Sequence, residues 1–241
     1  MNGLDQVILL SGGLGTRLQG LFPELPKALA PIAGKPFIEW QIAWLHSLGV
    51  TAVHIAAGFR AEQIEAWYRS APSLPVSVTF SREPAPLGTG GAIRFAADAL
   101  PPRVHYLVMN GDTLLPNLNL GAIIKAHLAG THTLTMAVTS IPDASRYGMV
   151  EVDRDGCALA FREKSPEIRP GVVNGGVYAI RRALIDRIPA GESCSLEKTW
   201  FPTLVAERGI RCTVTEPPLL DMGTPDGHAA MTDFMTRREH P

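Results

Sequence analysis

Val7-Ile8-Leu9-Leu10-Ser11-Gly12-Gly13-Leu14-Gly15-Thr16-Arg17-Leu18 is the stretch from which the fold of this chain can be read. Its first four residues form an unbroken apolar run, the pattern of a short buried strand. Three glycines follow at the strand's carboxyl end, where bare backbone can turn tightly and bring N–H groups close to an anion. Arg17 adds a permanently charged fork that holds phosphate oxygens in pairs. Ten residues on, Lys27 supplies a second cation on a loop stiffened by Pro23 and Pro26. The pattern is a phosphate cradle. Two better-known glycine loops do not fit it. A dinucleotide fingerprint needs a third glycine where this chain has Leu18, and an acid after the next strand, where it has Ala56-Ala57-Gly58-Phe59. A P-loop needs Gly-Lys-Ser/Thr to close the run, which is also absent.

Outward from this strand, Gln6–Ser11, Thr51–Ala57, Val76–Phe80 and His105–Met109 read as strands. They alternate with helical stretches at Pro36–Leu48, Ala61–Ser70 and Thr89–Ala99. Gly49 closes the first helix, and Leu100-Pro101-Pro102 stops the third. Such alternation predicts an α/β protein built as three layers, a Rossmann-like, doubly wound and mostly parallel sheet covered on both faces. The second half changes texture. Thr133–Ser140, Met149–Val152, Leu159–Glu163 and Val172–Ile180 read as strands of a mixed-sheet extension, with a hairpin turn at Asp153-Arg154-Asp155-Gly156. This extension is expected to form a lid over the first half. Ser195–Arg208 and Thr224–Arg237 are expected as closing helices, the last with Thr224 as N-cap and Pro225 at its first position.

Composition narrows the function. A net charge of −1 supplies no field for nucleic acid or an anionic membrane, so neither is an expected partner and phosphate affinity must come from local groups. No apolar run reaches the length of a membrane span, and the N-terminus shows no secretory pattern. Cys157, Cys194 and Cys212 are widely spaced and read as reduced thiols of a cytoplasmic protein. The histidines lack zinc-ligand spacing. Trp40, Trp44, Trp67 and Tyr68 suit core packing or a homo-oligomeric contact rather than ligand stacking.

Asn110-Gly111-Asp112 follows the strand His105–Met109, so the Asp112 carboxylate should emerge on the edge that carries the glycine loop. Beside bound phosphates it is an expected Mg²⁺ ligand. Gly176, inside an apolar strand, suggests close approach of a backbone or ligand.

Gly12-Gly13-Leu14-Gly15-Thr16-Arg17-Leu18 with Pro26-Lys27-Ala28-Leu29-Ala30-Pro31-Ile32-Ala33-Gly34-Lys35-Pro36 resembles the signature of sugar-1-phosphate nucleotidyltransferases. Leu87-Gly88-Thr89-Gly90-Gly91, Asn110-Gly111-Asp112, Glu163-Lys164, Asn174-Gly175-Gly176 and Asp221-Met222-Gly223-Thr224-Pro225 follow in the family's order. Phe22-Pro23-Glu24-Leu25-Pro26-Lys27 and Phe37-Ile38-Glu39-Trp40-Gln41 are most similar to the D-glycero-D-manno-heptose 1-phosphate guanylyltransferases among them.

The resemblance implies one nucleotidyltransferase domain over residues 1–241, with a nucleotide-binding half to about residue 130 and a sugar-binding half from about 131. It implies Arg17, Lys27 and Asp112 as catalytic residues. Leu10, Gly12, Gly13, Gly15, Thr16, Glu83, Gly88 and Thr89 would contact the nucleotide, and Gly148, Glu163, Lys164 and Asn174 the sugar phosphate. Asp112 and Asp221 would hold Mg²⁺, a pairing that rests on the resemblance alone. The small residues from Gly88 to Gly91 are expected to admit a flat base against backbone, and the Glu83 carboxylate could accept from guanine N1–H and N2–H. The implied reaction joins a nucleoside triphosphate, GTP by this reading, to a sugar 1-phosphate. Uridylyl or thymidylyl transfer to a hexose 1-phosphate, and non-catalytic sensing of sugar nucleotides, are the alternatives.

Overall fold

A computed structural model describes residues 4–18, 20–71, 73–162 and 167–239. Its centre is a nine-stranded sheet. The strands are β1 (Gln6–Ser11), β2 (Ala52–Ala57), β3 (Ser77–Arg82), β4 (His105–Asn110), β5 (Leu134–Ile141), β6 (Met149–Val152), β7 (Ala158–Arg162), β8 (Gly171–Arg181) and β9 (Ile210–Val214). The first four lie in the order β3-β2-β1-β4 and are parallel throughout. Chain order reverses between β1 and β4, so the loops leaving these two strands flank a crevice beyond their carboxyl ends.

Apolar residues alternate across the sheet and are buried on both faces, as a covered sheet requires. Val7, Leu9, Leu107, Met109, Val177 and Ala179 pack under α1 (Phe37–Ser47), α2 (Ala61–Ser70) and α4 (Leu120–Ala129). Ile8, Tyr106, Val108, Tyr178 and Ile180 face α3 (Gly88–Ala99), α5 (Arg182–Ile185) and α6 (Phe201–Ala206). Three layers result, as the alternation predicts. Among the described residues no helix is long and apolar enough to cross a membrane.

The expected mixed-sheet extension forms, but it continues the same sheet and does not close over the first half as a lid. β8 pairs antiparallel with β4 from Val177↔Met109 to Arg181↔His105, and β5 joins its other edge. The amino-terminal part of β8 therefore overhangs the carboxyl end of β4, where it takes β6 as a neighbour at Val173↔Met149. The turn Asp153–Gly156 forms as expected, with Gly156 N–H donating to Asp153 O at 3.0 Å. The expected helix Ser195–Arg208 is instead a wide π-helical turn, Leu196–Trp200, followed by the short α6. The two are continuous, and Pro202 accounts for the change of winding between them, since it lacks the N–H that an α-helix would bond there.

A third, smaller core positions the rim. Leu18, Leu114 and Met222 pack together with Met231 and Met235 of α7 (Pro225–Glu239). Each of the first three closely follows a candidate site residue (Arg17, Asp112 and Asp221), so one apolar anchor fixes three separate chain segments.

Candidate active site

The glycine loop leaves β1 as expected and lines a cavity of about 280 Å³. Leu10, Gly12, Gly13, Gly15, Lys27, Glu83, Gly88, Thr89 and Asp112 all contribute to its wall. Gly15 turns the loop at φ +60°, and any side chain on Gly12 would collide with Glu83 Oε1. Glu83 is thus pressed against the loop. Its Oε2 accepts from Leu87 N–H at 3.0 Å, while its Oε1 is buried without a hydrogen-bond partner. Burial raises its pKa, and the Leu87 N–H offsets part of that rise. Thr16 and Arg17 stand exposed on the turn after the loop, outside the cavity lining.

Lys27 opens a short 3₁₀ turn after Pro26, and its Nζ donates to Asp112 Oδ2 at 2.6 Å. Gln41 of α1 braces the Asp112 loop by donating from Nε2 to Asn110 O and Thr113 O, each at 3.2 Å. A two-residue antiparallel ladder then brings in the end of the chain. Leu220 pairs with Leu114 and Asp221 with Thr113, and Met222 N–H donates to Asp112 O at 3.0 Å. By this means two aspartates far apart in sequence become neighbours. Asp221 has its pKa raised first by burial and then by the Asp112 charge; Gly223 N–H, Lys27 and Arg146 act the other way.

On the second half, Asn174 lies on the overhanging part of β8. Its Nδ2 donates to the Tyr178 hydroxyl at 2.7 Å and its Oδ1 accepts from Gly176 N–H at 2.9 Å, so the amide is held in one orientation. Gly148 begins the approach to β6. Neither Asn174 nor Gly148 lines the glycine-loop cavity. Glu163 and Lys164 lie outside the described residues.

The description "Nucleotidyl transferase" matches residues 6–236 of this chain. The chain belongs to the nucleotidyl transferase family. It is 32% identical, over 92% of its length and 95% of the relative's, to D-glycero-alpha-D-manno-heptose 1-phosphate guanylyltransferase of Aneurinibacillus thermoaerophilus. It is 31% identical to mannose-1-phosphate guanylyltransferase of Mycobacterium tuberculosis, of which it spans 62%. The crystal structure of HddC from Yersinia pseudotuberculosis complexed with GMP-PN superposes with a TM-score of 0.85 at 28% identity, covering 95% of this chain and 99% of that one.

In this transferase the run Gly88–Gly91 serves a purpose the sequence does not disclose. A Cβ on Gly90 would stand 2.7 Å from Cys194 Sγ, and one on Gly91 would stand 2.5 Å from Glu192 O. Cys194 N–H donates to Leu87 O at 2.9 Å, Gly90 N–H to Cys194 O at 3.0 Å, and Leu196 N–H to Thr89 Oγ1 at 2.7 Å. The missing side chains make room for a strap of the chain's own backbone, which holds the start of α3 against the cavity. Reading these glycines as space for a base was incomplete for that reason. Gln41, Cys194 and Tyr178 escaped sequence reasoning because each acts through a tertiary contact with no local motif.

The acidic pair also constrains the metal. Among the described residues no group of three His, Cys, Asp or Glu side chains gathers to hold an ion. Two carboxylates beside a glycine loop and a lysine suit a hard cation that completes its shell with water and ligand oxygens. They do not suit a zinc site closed by protein ligands. The donor set fits Mg²⁺.

Proposed function

We propose that this chain transfers the nucleotidyl group of GTP to a sugar 1-phosphate of manno configuration, D-glycero-D-manno-heptose 1-phosphate first among candidates, releasing pyrophosphate. The observation that carries the reading is the meeting of the glycine loop, Lys27, Asp112 and Asp221 at one rim of the sheet. The attacking phosphate is already ionised, so no covalent nucleophile is required and catalysis reduces to positioning and charge stabilisation.

In this scheme the N–H groups of Gly12–Gly15 and the Arg17 fork hold the triphosphate through to its pyrophosphate end. Thr16 joins that grip. Lys27 is assigned to the charge that develops at the α-phosphate, and Leu10, Gly88 and Thr89 form walls of the nucleotide pocket. The unpartnered Glu83 Oε1 gives guanine an acceptor for N1–H and N2–H; uracil or thymine would present carbonyl oxygens to it. Gly148, Glu163, Lys164 and Asn174 are assigned to the sugar phosphate. Mg²⁺, held by Asp112 and Asp221, would offset the negative charge of the two reactants. The whole chain is taken to act as one nucleotidyltransferase domain.

The test is a matrix of GTP, ATP, UTP and dTTP against heptose, mannose and glucose 1-phosphates, read by pyrophosphate release with Mg²⁺. GTP with a manno-configured sugar phosphate is expected to lead. A best pair of UTP or dTTP with glucose 1-phosphate would replace the guanylyl assignment. Binding without pyrophosphate release from any pair would make the protein a sensor of sugar nucleotides.

A further inference from the structure

Arg146 lies on the connection between β5 and β6, two residues before Gly148, and is exposed. Its Nη2 donates to Thr224 Oγ1, its one hydrogen-bond partner among the described residues. Thr224 is a fixed platform, because its Oγ1 also accepts from Gly227 N–H at 3.2 Å as the cap of α7. The turn that Thr224 closes is the one that carries Asp221. Gly223 N–H donates to Asp221 Oδ1 at 2.7 Å, and a methyl group on Gly223 would stand 3.2 Å from Lys27 Nζ. Two cations therefore approach one acidic turn, Lys27 from the first half of the chain and Arg146 from the second.

Tyr147 records the same field. Its hydroxyl pKa is pushed up to about 12, first by burial and then by the Asp221 charge; Arg146 works against the rise and Asp112 adds to it. A purely structural role for Arg146 uses little of what it offers. One exposed tie to a hydroxyl contributes little stability, and a guanidinium has five N–H donors in a planar fork. The local charges of Asp112 and Asp221 against Lys27 and Arg146 cancel, so an arriving phosphate meets a site where acid repulsion is already offset.

We propose that Arg146 grips the phosphate of the sugar 1-phosphate as the second-half counterpart of Lys27, with Thr224 aiming the guanidinium. The inference rests on the transferase reading above and adds to it a binding residue for the acceptor substrate. The assignment to the sugar phosphate rather than the triphosphate follows from chain position. Arg146 belongs to the segment leading to Gly148, beside the strand that carries Asn174, whereas the glycine loop and Lys27 belong to the other half.

The test compares Arg146→Gln, Arg146→Lys and Thr224→Val with wild type, each checked for an unchanged circular dichroism spectrum. Arg146→Gln is expected to raise KM for the sugar 1-phosphate by roughly tenfold or more while KM for GTP changes less than about twofold. Arg146→Lys should recover part of that loss, since a point charge replaces the fork only partly. Thr224→Val should fall between wild type and Arg146→Gln. A second readout needs no turnover: calorimetric binding of the sugar 1-phosphate to protein preloaded with a non-hydrolysable GTP analogue should weaken by a similar factor in Arg146→Gln. An unchanged sugar-phosphate KM and affinity, with only a lowered melting temperature, would reduce Arg146 to a tie between β6 and α7. A rise confined to the GTP KM would move the residue to the triphosphate. Wild-type protein inactive with every substrate pair would instead overturn the transferase reading.

Discussion

At the carboxyl end of the parallel strands, Ser11 Oγ, Gln41 Oε1 and Glu83 Oε1 are buried without partners. At that same end Asp221 bears the repulsion of Asp112. At the amino end of these strands, polar groups are instead joined to one another. His105 Nδ1 lies 3.1 Å from His127 Nε2, and His127 Nδ1 lies 3.0 Å from Thr135 Oγ1. Arg181 donates to Gly130 O at 2.6 Å and His132 O at 2.9 Å, closing the carbonyl end of α4. His132 Nδ1 is the exception there. A buried polar atom without a partner costs on the order of 1–3 kcal/mol. Other such atoms, His54 Nε2 and Thr213 Oγ1 among them, lie elsewhere in the fold, but those at the carboxyl end stand where substrates would supply the missing bonds. We take the carboxyl end of the sheet as the binding end and the amino end as the holding one.

If that division is right, substitutions at the two ends should separate activity from stability. The largest effect is expected for Asp112→Asn, a loss of a hundredfold or more in turnover, on the order of 3 kcal/mol of transition-state stabilisation, with the fold intact. Near-normal pyrophosphate release from a folded Asp112→Asn variant would break the division at its centre.

Acid should act through the other polar groups. Burial pushes the His54 pKa down to about 4, and burial with the neighbouring charges of His105, Arg181 and His132 does the same for His127. Unfolded imidazoles take protons near 6.5, so the unfolded chain binds more protons than the folded one between these values. Stability should be full above about pH 6.5 and be lost as pH falls toward 4, by a few kcal/mol in all. Melting temperatures measured across that range test this, and a flat profile would contradict the buried neutral imidazoles.

Glu83→Gln sharpens the comparison further. It should cut the preference for GTP over UTP by roughly tenfold through the KM of the nucleotide, with little change in melting temperature. An unaltered base preference would remove Glu83 from base reading. The smallest effect is expected from Arg181→Met, about 1 kcal/mol of stability or a few degrees in melting temperature, with turnover unchanged. A large loss of kcat there would mean that the holding end is coupled to the chemistry.

The sequence was most legible where local chemistry and tertiary structure agree. Gln6–Ser11 and Ala61–Ser70 form over the expected residues because an apolar run, or a clear helical period, ends at an unambiguous boundary. The helix Leu120–Ala129 was not expected. Its residues are apolar on nearly every side, with Lys125 the lone full charge, so no amphipathic stripe marks it. The edge strand Ile210–Val214 was not expected either, although its residues alternate apolar and polar. Within the site, the glycine loop and Lys27 could be read from residue types. The neighbourhood of Asp112 and Asp221 could not, since a two-residue ladder has no sequence signature. Arg146 resembled any solvated charge until the fold placed it beside Thr224.

That ladder also sets an order in time. Until residues 220 and 221 have been made, a growing chain has the means to form the glycine loop and Lys27 but lacks the second acid of the rim. The two acids come together only when the segment after β9 returns to lie beside Thr113 and Leu114.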